Sequence, residues 1–386
     1  MVRLGISGLF ILLSLSACSE IQVPAGNSDA GIPADATVGL DVDAMVDVCP
    51  IGAICDVGTN YAFVTSRKQT PGSLGGLMGA DEICNNAASM AGLPENNYVA
   101  WLSTSSSNAI TRLGDASGWI RTDRRPFTLT VSDLLDGKIL YPLHLDEFGN
   151  AITGSPDVIT GTSPDGLAGT AGDCGDWEDE SSENSPETGA AVSAGNEWTA
   201  GVLSRSCNAM TRIYCFGTNF QTALELPQVE GRLAWVSSGI TNGLSGIAQL
   251  NRKCTSDADL ASLDGDYAAF VATDGNAAAA QFNIENATWV RPDGVVIWAK
   301  ASDIGSSSPL APIRLGLDGE VTDFTLVWTG AKNPGVSPAP SENCENWQAT
   351  NSKGHVGQPS NVGTTFFQLP AKKNCIKEEA VYCLEK

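Results

Sequence analysis

Histidine is almost absent from this sequence: His144 and His355 are the only two in 386 residues. Structural zinc takes four Cys or His ligands, so two distant histidines leave a zinc site nothing to build on if the cysteines are oxidised. General acid–base catalysis by histidine and a Ser-His-Asp triad are equally short of material. Cations are scarce as well. There are 22 Lys and Arg against 44 Asp and Glu, a formal net charge of −22, which repels phosphate backbones and anionic polysaccharides. Nucleic acid and heparin-like chains are therefore poor partners. The apolar run from Leu4 to Ser16 is too short to span a bilayer. With 42% hydrophobic residues the remainder is globular, and the length has room for two or three domains.

That short run follows Arg3 and ends in Leu15-Ser16-Ala17-Cys18. A charged start, an apolar core and small residues before a cysteine make residues 1–17 an expected export signal, whose ending resembles a bacterial lipobox. Cys18 would then carry the lipid and anchor the chain to a membrane. Ser19, where an inner-membrane retention signal would place Asp, points to an outer-membrane lipoprotein, facing the periplasm or the cell surface. Residues 19–48 contain six acids, no Lys or Arg and no aromatic. Such a stretch cannot offset its chain entropy by burial, so residues 18–48 read as a flexible acidic stalk. Without Cys18, ten of the eleven cysteines remain, an even number that suits five disulfides in an oxidising compartment. Cys49 and Cys55, six apart, suit a small loop over residues 49–60.

The other eight cysteines form a frame used twice. Cys84 and Cys174 are 90 residues apart, as are Cys254 and Cys344; Cys207 and Cys215 are 8 apart, as are Cys375 and Cys383. Flanking residues repeat too. Tyr98-Val-Ala-Trp-Leu102 corresponds to Tyr267-Ala-Ala-Phe-Val271, Trp119-x-Arg121-x-Asp123 to Trp289-x-Arg291-x-Asp293, Val158-Ile-Thr-Gly161 to Val327-Trp-Thr-Gly330, and Cys174-Gly-Asp-Trp177 to Cys344-Glu-Asn-Trp347. Two copies of one domain follow, at 61–217 and 232–386, with 218–231 as the linker and hinge. In the first copy, Ala80, Ile83, Cys84, Ala87 and Ala91 recur at helical spacing before Gly92, which predicts a helix with Cys84 facing the core. Short strands are expected at 61–66, at 98–102, at 118–123 with Trp119, Arg121 and Asp123 on one face, and around His144. His355 reads as part of a turn. The fold class is α+β: short strands, one main helix per copy, and long loops.

A helix cysteine, a last-strand cysteine and an inner pair between them resemble the C-type lectin-like fold, and within it the endostatin-like domains of bacterial outer-membrane lipoproteins, a domain family of unknown function. Phe63-Val-Thr-Ser66, Leu74-Gly-Gly-Leu77, Gly79-Ala-Asp81, Ala100-Trp-Leu-Ser103, Gly118-Trp119 and Tyr214-Cys215 carry the likeness. The second copy departs at Ser245-Gly246 and Phe270-Val271. The resemblance implies disulfides Cys84–Cys215, Cys174–Cys207, Cys254–Cys383 and Cys344–Cys375, where spacing alone leaves the connectivity open.

The tripeptides with which C-type lectins hold calcium are missing: Trp198 is followed by Thr199-Ala200, and Gln358-Pro359-Ser360 lies after Cys344 without a carboxylate. An acidic loop, Asp173, Asp176, Glu178, Asp179, Glu180 and Glu183 around Trp177, is the one candidate for a ligand or calcium, against the plainer reading of a solvated loop. No other cofactor is expected. Arg121 with Asp123 and Arg291 with Asp293 read as structural ion pairs. These readings favour a non-catalytic binding or adhesion lipoprotein that recognises an extracellular protein or glycan. A passive envelope lipoprotein is the alternative. An enzyme of the cysteine-oxidising C-type lectin-like kind would need a free thiol pair and is disfavoured.

Overall fold

The computed structural model describes residues 49–386 except 56–57, 95–96, 182–184, 203–204, 245, 283–284, 306–307 and 350. The expected export signal, Cys18, the stalk and Glu183 lie outside the described residues. The fold is α+β, with short strands, two long helices and five disulfides.

Each cysteine frame builds one lobe. In the first, the strands run in the order Tyr98–Ala100, Tyr214–Gly217, Asn60–Val64, Trp119–Ile120, Pro126–Thr128. The first and last strands of the lobe lie side by side, antiparallel, with Phe63 opposite Cys215. Side chains alternate across a strand. Phe63 and Cys215 therefore face the helix Gly76–Met90, which turns Ala80, Cys84 and Ala87 toward them. Val64, Tyr214 and Phe216 face the other way, onto Trp101, Trp119, Phe127 and Trp198. Cys84–Cys215 bolts the helix to the central strand, and Gly92 at φ +65 leads the chain away from the helix end. The second lobe repeats the order with Tyr267–Ala269, Glu378–Glu385, Arg232–Val236, Trp289–Val290 and Val296–Trp298, and its bolt is Cys254–Cys383. Cys174–Cys207, Cys344–Cys375 and Cys49–Cys55 complete the five pairs. The four long-range bonds close loops of 131, 33, 129 and 31 residues. Chain-entropy arguments put each at about 3–5 kcal/mol.

Two strand expectations fail locally. The strand at Trp119 stops at Ile120, because the chain reverses over 121–124, with Arg124 at φ 64, to pair with Pro126–Thr128. Arg121 and Asp123 meet across that turn, Nε to Oδ1 at 3.1 Å, and not along one strand face. His144 lies in a loop, two residues after Pro142, which has no ladder N–H to donate.

The lobes are packed together, and their contact is reciprocal. Ala194 N donates to Ser360 O at 2.8 Å and Val362 N to Val192 O at 2.9 Å, with Ser193 opposite Asn361. In strand register Gly189 corresponds to Gly357, so 192, 193 and 194 correspond to 360, 361 and 362. Equivalent residues thus meet one another, as in the isologous interface of a two-fold dimer. Leu140, Tyr141, Val295 and Ala311 fill the apolar part of the contact. Tyr141 Oη accepts from Val296 N at 2.9 Å, and Arg314 Nη1 donates to Gly137 O at 2.8 Å. The Cys49–Cys55 loop seals this seam: Ile54 N donates to Arg124 O at 2.8 Å, and a Cβ on Gly52 would stand 3.0 Å from both Tyr141 Oη and Val296. Residues 218–231 form no helix or strand, yet they are no free hinge. Leu224 N donates to Leu129 O at 3.0 Å, and Leu226 packs into the interlobe cluster.

The Arg-Asp pairs sit beside this seam. Arg121 is 1% exposed, bonds Asp123 and stacks over Tyr141 at 5.5 Å. Burial raises the Asp123 carboxyl, but Arg121 and Arg125 together overcome it and hold the group well below the usual carboxylate range. His144 Nδ1 lies 3.1 Å from Pro142 O and 3.3 Å from Arg121 Nη1, so one tautomer donates to the carbonyl and the other accepts from the guanidinium. Burial and that neighbouring cation push His144 down to about 3. Its counterpart in the second lobe is Arg314, which burial and the nearby Arg291 lower to about 10.

Tyr141→Phe leaves the Val296 N–H buried without its acceptor and should cost about 1–3 kcal/mol, read as a lower urea midpoint of the full chain. An unchanged midpoint would remove Tyr141 from the seam's energetics. The unfolded chain protonates His144 below its ordinary value of 6.5, while the folded chain resists until about 3. The depressed group therefore contributes stability above pH 6.5 that is lost as pH falls toward 3. In His144→Gln, which keeps an acceptor for Arg121, the melting temperature should fall less between pH 7 and pH 4 than in the parent; parallel curves would contradict the assignment.

Candidate functional site

The acidic loop of the first lobe is built on a left-handed turn. Cys174, Gly175, Asp176 and Trp177 have φ of 54, 61, 55 and 70°. The second lobe repeats it over Cys344, Glu345, Asn346 and Trp347 at 58, 49, 56 and 65°. Non-glycine residues in this region cost about 1–2 kcal/mol each, so three beside Gly175 in the first lobe and four in succession in the second need strong local support. Four kinds of contact supply it. The main chain closes on itself, Trp177 N to Asp173 O at 2.8 Å and Trp347 N to Asn343 O at 2.9 Å. The side chains of Asp173 and Asn343 accept from Asp176 N and Asn346 N. Cys174 and Cys344 are tied by their disulfides. Trp177 and Trp347 are fully buried, each donating Nε1 to a carbonyl, Ser103 O at 2.9 Å and Ala272 O at 3.0 Å.

This geometry decides where the expected site residues point. Asp173 Oδ2 and Asp176 Oδ1 converge on Ser105 N, at 2.9 and 3.4 Å. Asp179 turns away to accept from Ser181 N at 2.8 Å, and Glu178 lies toward Gly76. Trp177 is core. Asp173 and Asp176 come together, but Glu178 and Asp179 do not join them, and no group of three His, Cys, Asp or Glu suited to a metal ion occurs among the described residues. The loop's acids hold a neighbouring loop in place: in the second lobe Asn343, Asn346 and Asp274 make the corresponding contacts without an excess of charge. The two histidines remain apart. His355, expected in a turn, is 2% exposed and its Nε2 lies 3.6 Å from Glu342 Oε1, with burial lowering its affinity for a proton.

A second difference between the lobes was not read from the sequence. At the end of the first strand, Ser66 N and Oγ both bond the carboxylate of Glu147, which reaches down from the 146–150 turn and is 3% exposed. The corresponding Ser238 makes the same two bonds, to Asp257, which rises from the helix Ile247–Leu260 and also accepts from Trp235 Nε1 at 3.1 Å. With the carboxylate supplied by the helix, the turn position matching Glu147 is Leu317. An open groove of about 580 Å³ lies there, between the helix end, Ser237–Ser238 and residues 316–324. The signal was present: Asp146-Glu147-Phe148-Gly149 stands where the second copy has Gly316-Leu317-Asp318-Gly319.

Comparison with known proteins finds no matching family model and no matching curated protein.

Gly161 and Gly330 test the left-handed turns. Both have positive φ, and a Cβ would stand 2.7 Å from the Trp177 ring or 2.6 Å from the Trp347 ring. Gly161→Ala and Gly330→Ala should each cost about 1–3 kcal/mol from backbone strain alone, and more from the displaced indole, seen as a lower melting temperature with altered near-UV circular dichroism. A melting point preserved within about 1 °C would show that the tryptophan seat tolerates movement.

Proposed function

We propose that the chain is a lipid-anchored, non-catalytic lipoprotein of the outer membrane whose two C-type lectin-like lobes bind an extracellular protein or glycan. The observation that carries this reading is the contrast between a scaffold used twice and loops that are not. Sheet order, disulfide positions and left-handed turns repeat from lobe to lobe. The side chains on the loops above them differ: Phe148 against Asp318, Asn150 against Glu320, Thr153 against Asp323. A scaffold stapled by long-range disulfides lets surface loops vary without unfolding, and loops are where recognition residues concentrate. Support for a non-catalytic role comes from the chemistry-bearing groups themselves. Ten cysteines are oxidised in pairs, His144 is held by Arg121 at the interlobe seam, and His355 is buried. The lipobox-like ending at Cys18 supports the anchor.

The reciprocal packing of the lobes bears on how binding would work. Two sites on a rigid pair meet a ligand at one spacing, so any avidity requires a target of matching spacing instead of adjusting through a hinge.

The full-length chain, expressed in a bacterial host, should partition into the detergent phase, and Cys18→Ser should release it. Cells carrying it should be retained on an array of glycans and extracellular proteins above the level of cells without it. Retention equal to the empty host on every surface would sink the binding reading, and a Cys18→Ser chain that still partitions with detergent would sink the anchor.

A further inference from the structure

The groove of the second lobe combines two features that are seldom left open to water together. Its walls are apolar: Leu260 is 85% exposed and Val321 46% exposed, with Leu317 and Phe324 half-buried beside them. Its rim is acidic, with Asp318, Glu320 and Asp323 all exposed, and Asp257 in its wall. Among the described residues no Lys, Arg or His lines it. Four of its fourteen lining residues are acids, against 44 of 386 in the whole chain, so the charge there exceeds what the acidic composition alone would place. The Asp257 carboxylate is already engaged by Trp235 and Ser238 and acts as structure. Asp318 Oδ1 accepts from Glu320 N at 3.1 Å within its turn, and the Asp318, Glu320 and Asp323 side chains are exposed along the rim.

The first lobe shows that the scaffold does not require this arrangement. At the positions of Asp257, Asp318, Glu320 and Asp323 it has Ala87, Phe148, Asn150 and Thr153, and Glu147 pins the turn onto the strand end. The paired turns have the same hydrogen bonds, Asp146 N to Asn150 O and Gly316 N to Glu320 O, so the backbone is equivalent and the side chains alone differ. Exposed apolar surface rimmed by charge is the mark of a contact site, and complementary charge selects what enters it.

We infer that this groove binds a cationic segment of a partner protein, in which an apolar side chain seats against Leu260, Val321 and Phe324 while flanking lysines or arginines face Asp318, Glu320 and Asp323. The inference rests on the binding reading above and supplies the partner chemistry for one lobe. The acids raise the local concentration of a basic segment and set its register, and the apolar wall holds it by burial.

The test is titration of the full-length chain with a capped heptapeptide of alternating lysine and leucine, followed by fluorescence anisotropy. Saturable binding below about 1 mM is expected, weakening as salt rises from about 50 to 500 mM. Asp318→Lys combined with Glu320→Lys should weaken binding at low salt by at least about tenfold, and Leu260→Ser by several-fold, with melting temperatures close to the parent's. The glutamate-for-lysine peptide should not bind. Binding that is absent below about 1 mM, unchanged in the charge-reversed variant, or matched by spermidine at equal charge would overturn the inference. The array separates this from the general reading: cells that are retained equally with and without the charge reversal exclude the groove alone, while peptide binding by a chain that no array surface retains leaves the groove standing and removes the broader claim.

Discussion

Each lobe is closed by its own two ends. The first and last strands pair in the middle of the sheet, and a disulfide from the last strand fixes the main helix across one face. Once that closure is made, everything between the two ends is a long excursion that leaves and returns to one place. The helix covers one face and the aromatic cluster the other, so the short strands gain a core on both sides that their hydrogen bonds alone would not supply. The inner disulfide then ties down the longest excursion near its root, where the left-handed turn and its buried tryptophan need support.

The same closure explains how the copies associate. Excursions from equivalent places in the two lobes meet each other, 192–194 against 360–362, and the contact is reciprocal because the residues involved are equivalent. Polar and apolar terms share the seam. Tyr141 packs its ring under Arg121 and Arg125 and spends its hydroxyl on the backbone of the other lobe. The Arg-Asp pairs, which in isolation look like recognition groups, are occupied by keeping the turns of this seam in shape.

Against a shared backbone, the lobes differ in where they obtain individual contacts. Ser66 and Ser238 need the same carboxylate, but one is served by a loop and the other by a helix. That exchange leaves a turn in the second lobe free to present Leu317 and Asp318 where the first presents Glu147 and Phe148. Divergence of this kind changes a surface without disturbing a core, because the hydrogen-bond requirement of the strand end is met in either case.

Much of the architecture was legible in the residues. The cysteine spacings fix two copies, the helical period around Cys84 places one helix per copy, and the repeated Tyr-Cys near each end places the closing strand. These signals are local or periodic, and they depend on burial that composition and spacing record directly. The left-handed turns were written in Cys-Gly-Asp-Trp and Cys-Glu-Asn-Trp, since Gly, Asp and Asn tolerate that conformation, but nothing local says that four such residues follow one another. Only the packing of the tryptophan and the neighbouring Ser105 or Asp274 loop makes the conformation the lowest in energy. The acidic loop illustrates the same limit: charges close in sequence are dispersed by the handedness of the turn, so Asp173 and Asp176 hold a backbone amide while Glu178 and Asp179 turn elsewhere. The side-chain exchange at Leu317 could be read from the aligned copies, but the interlobe seam and the closing of the groove were decided by tertiary structure, because each joins residues more than fifty positions apart whose partners depend on which element supplies a given hydrogen bond.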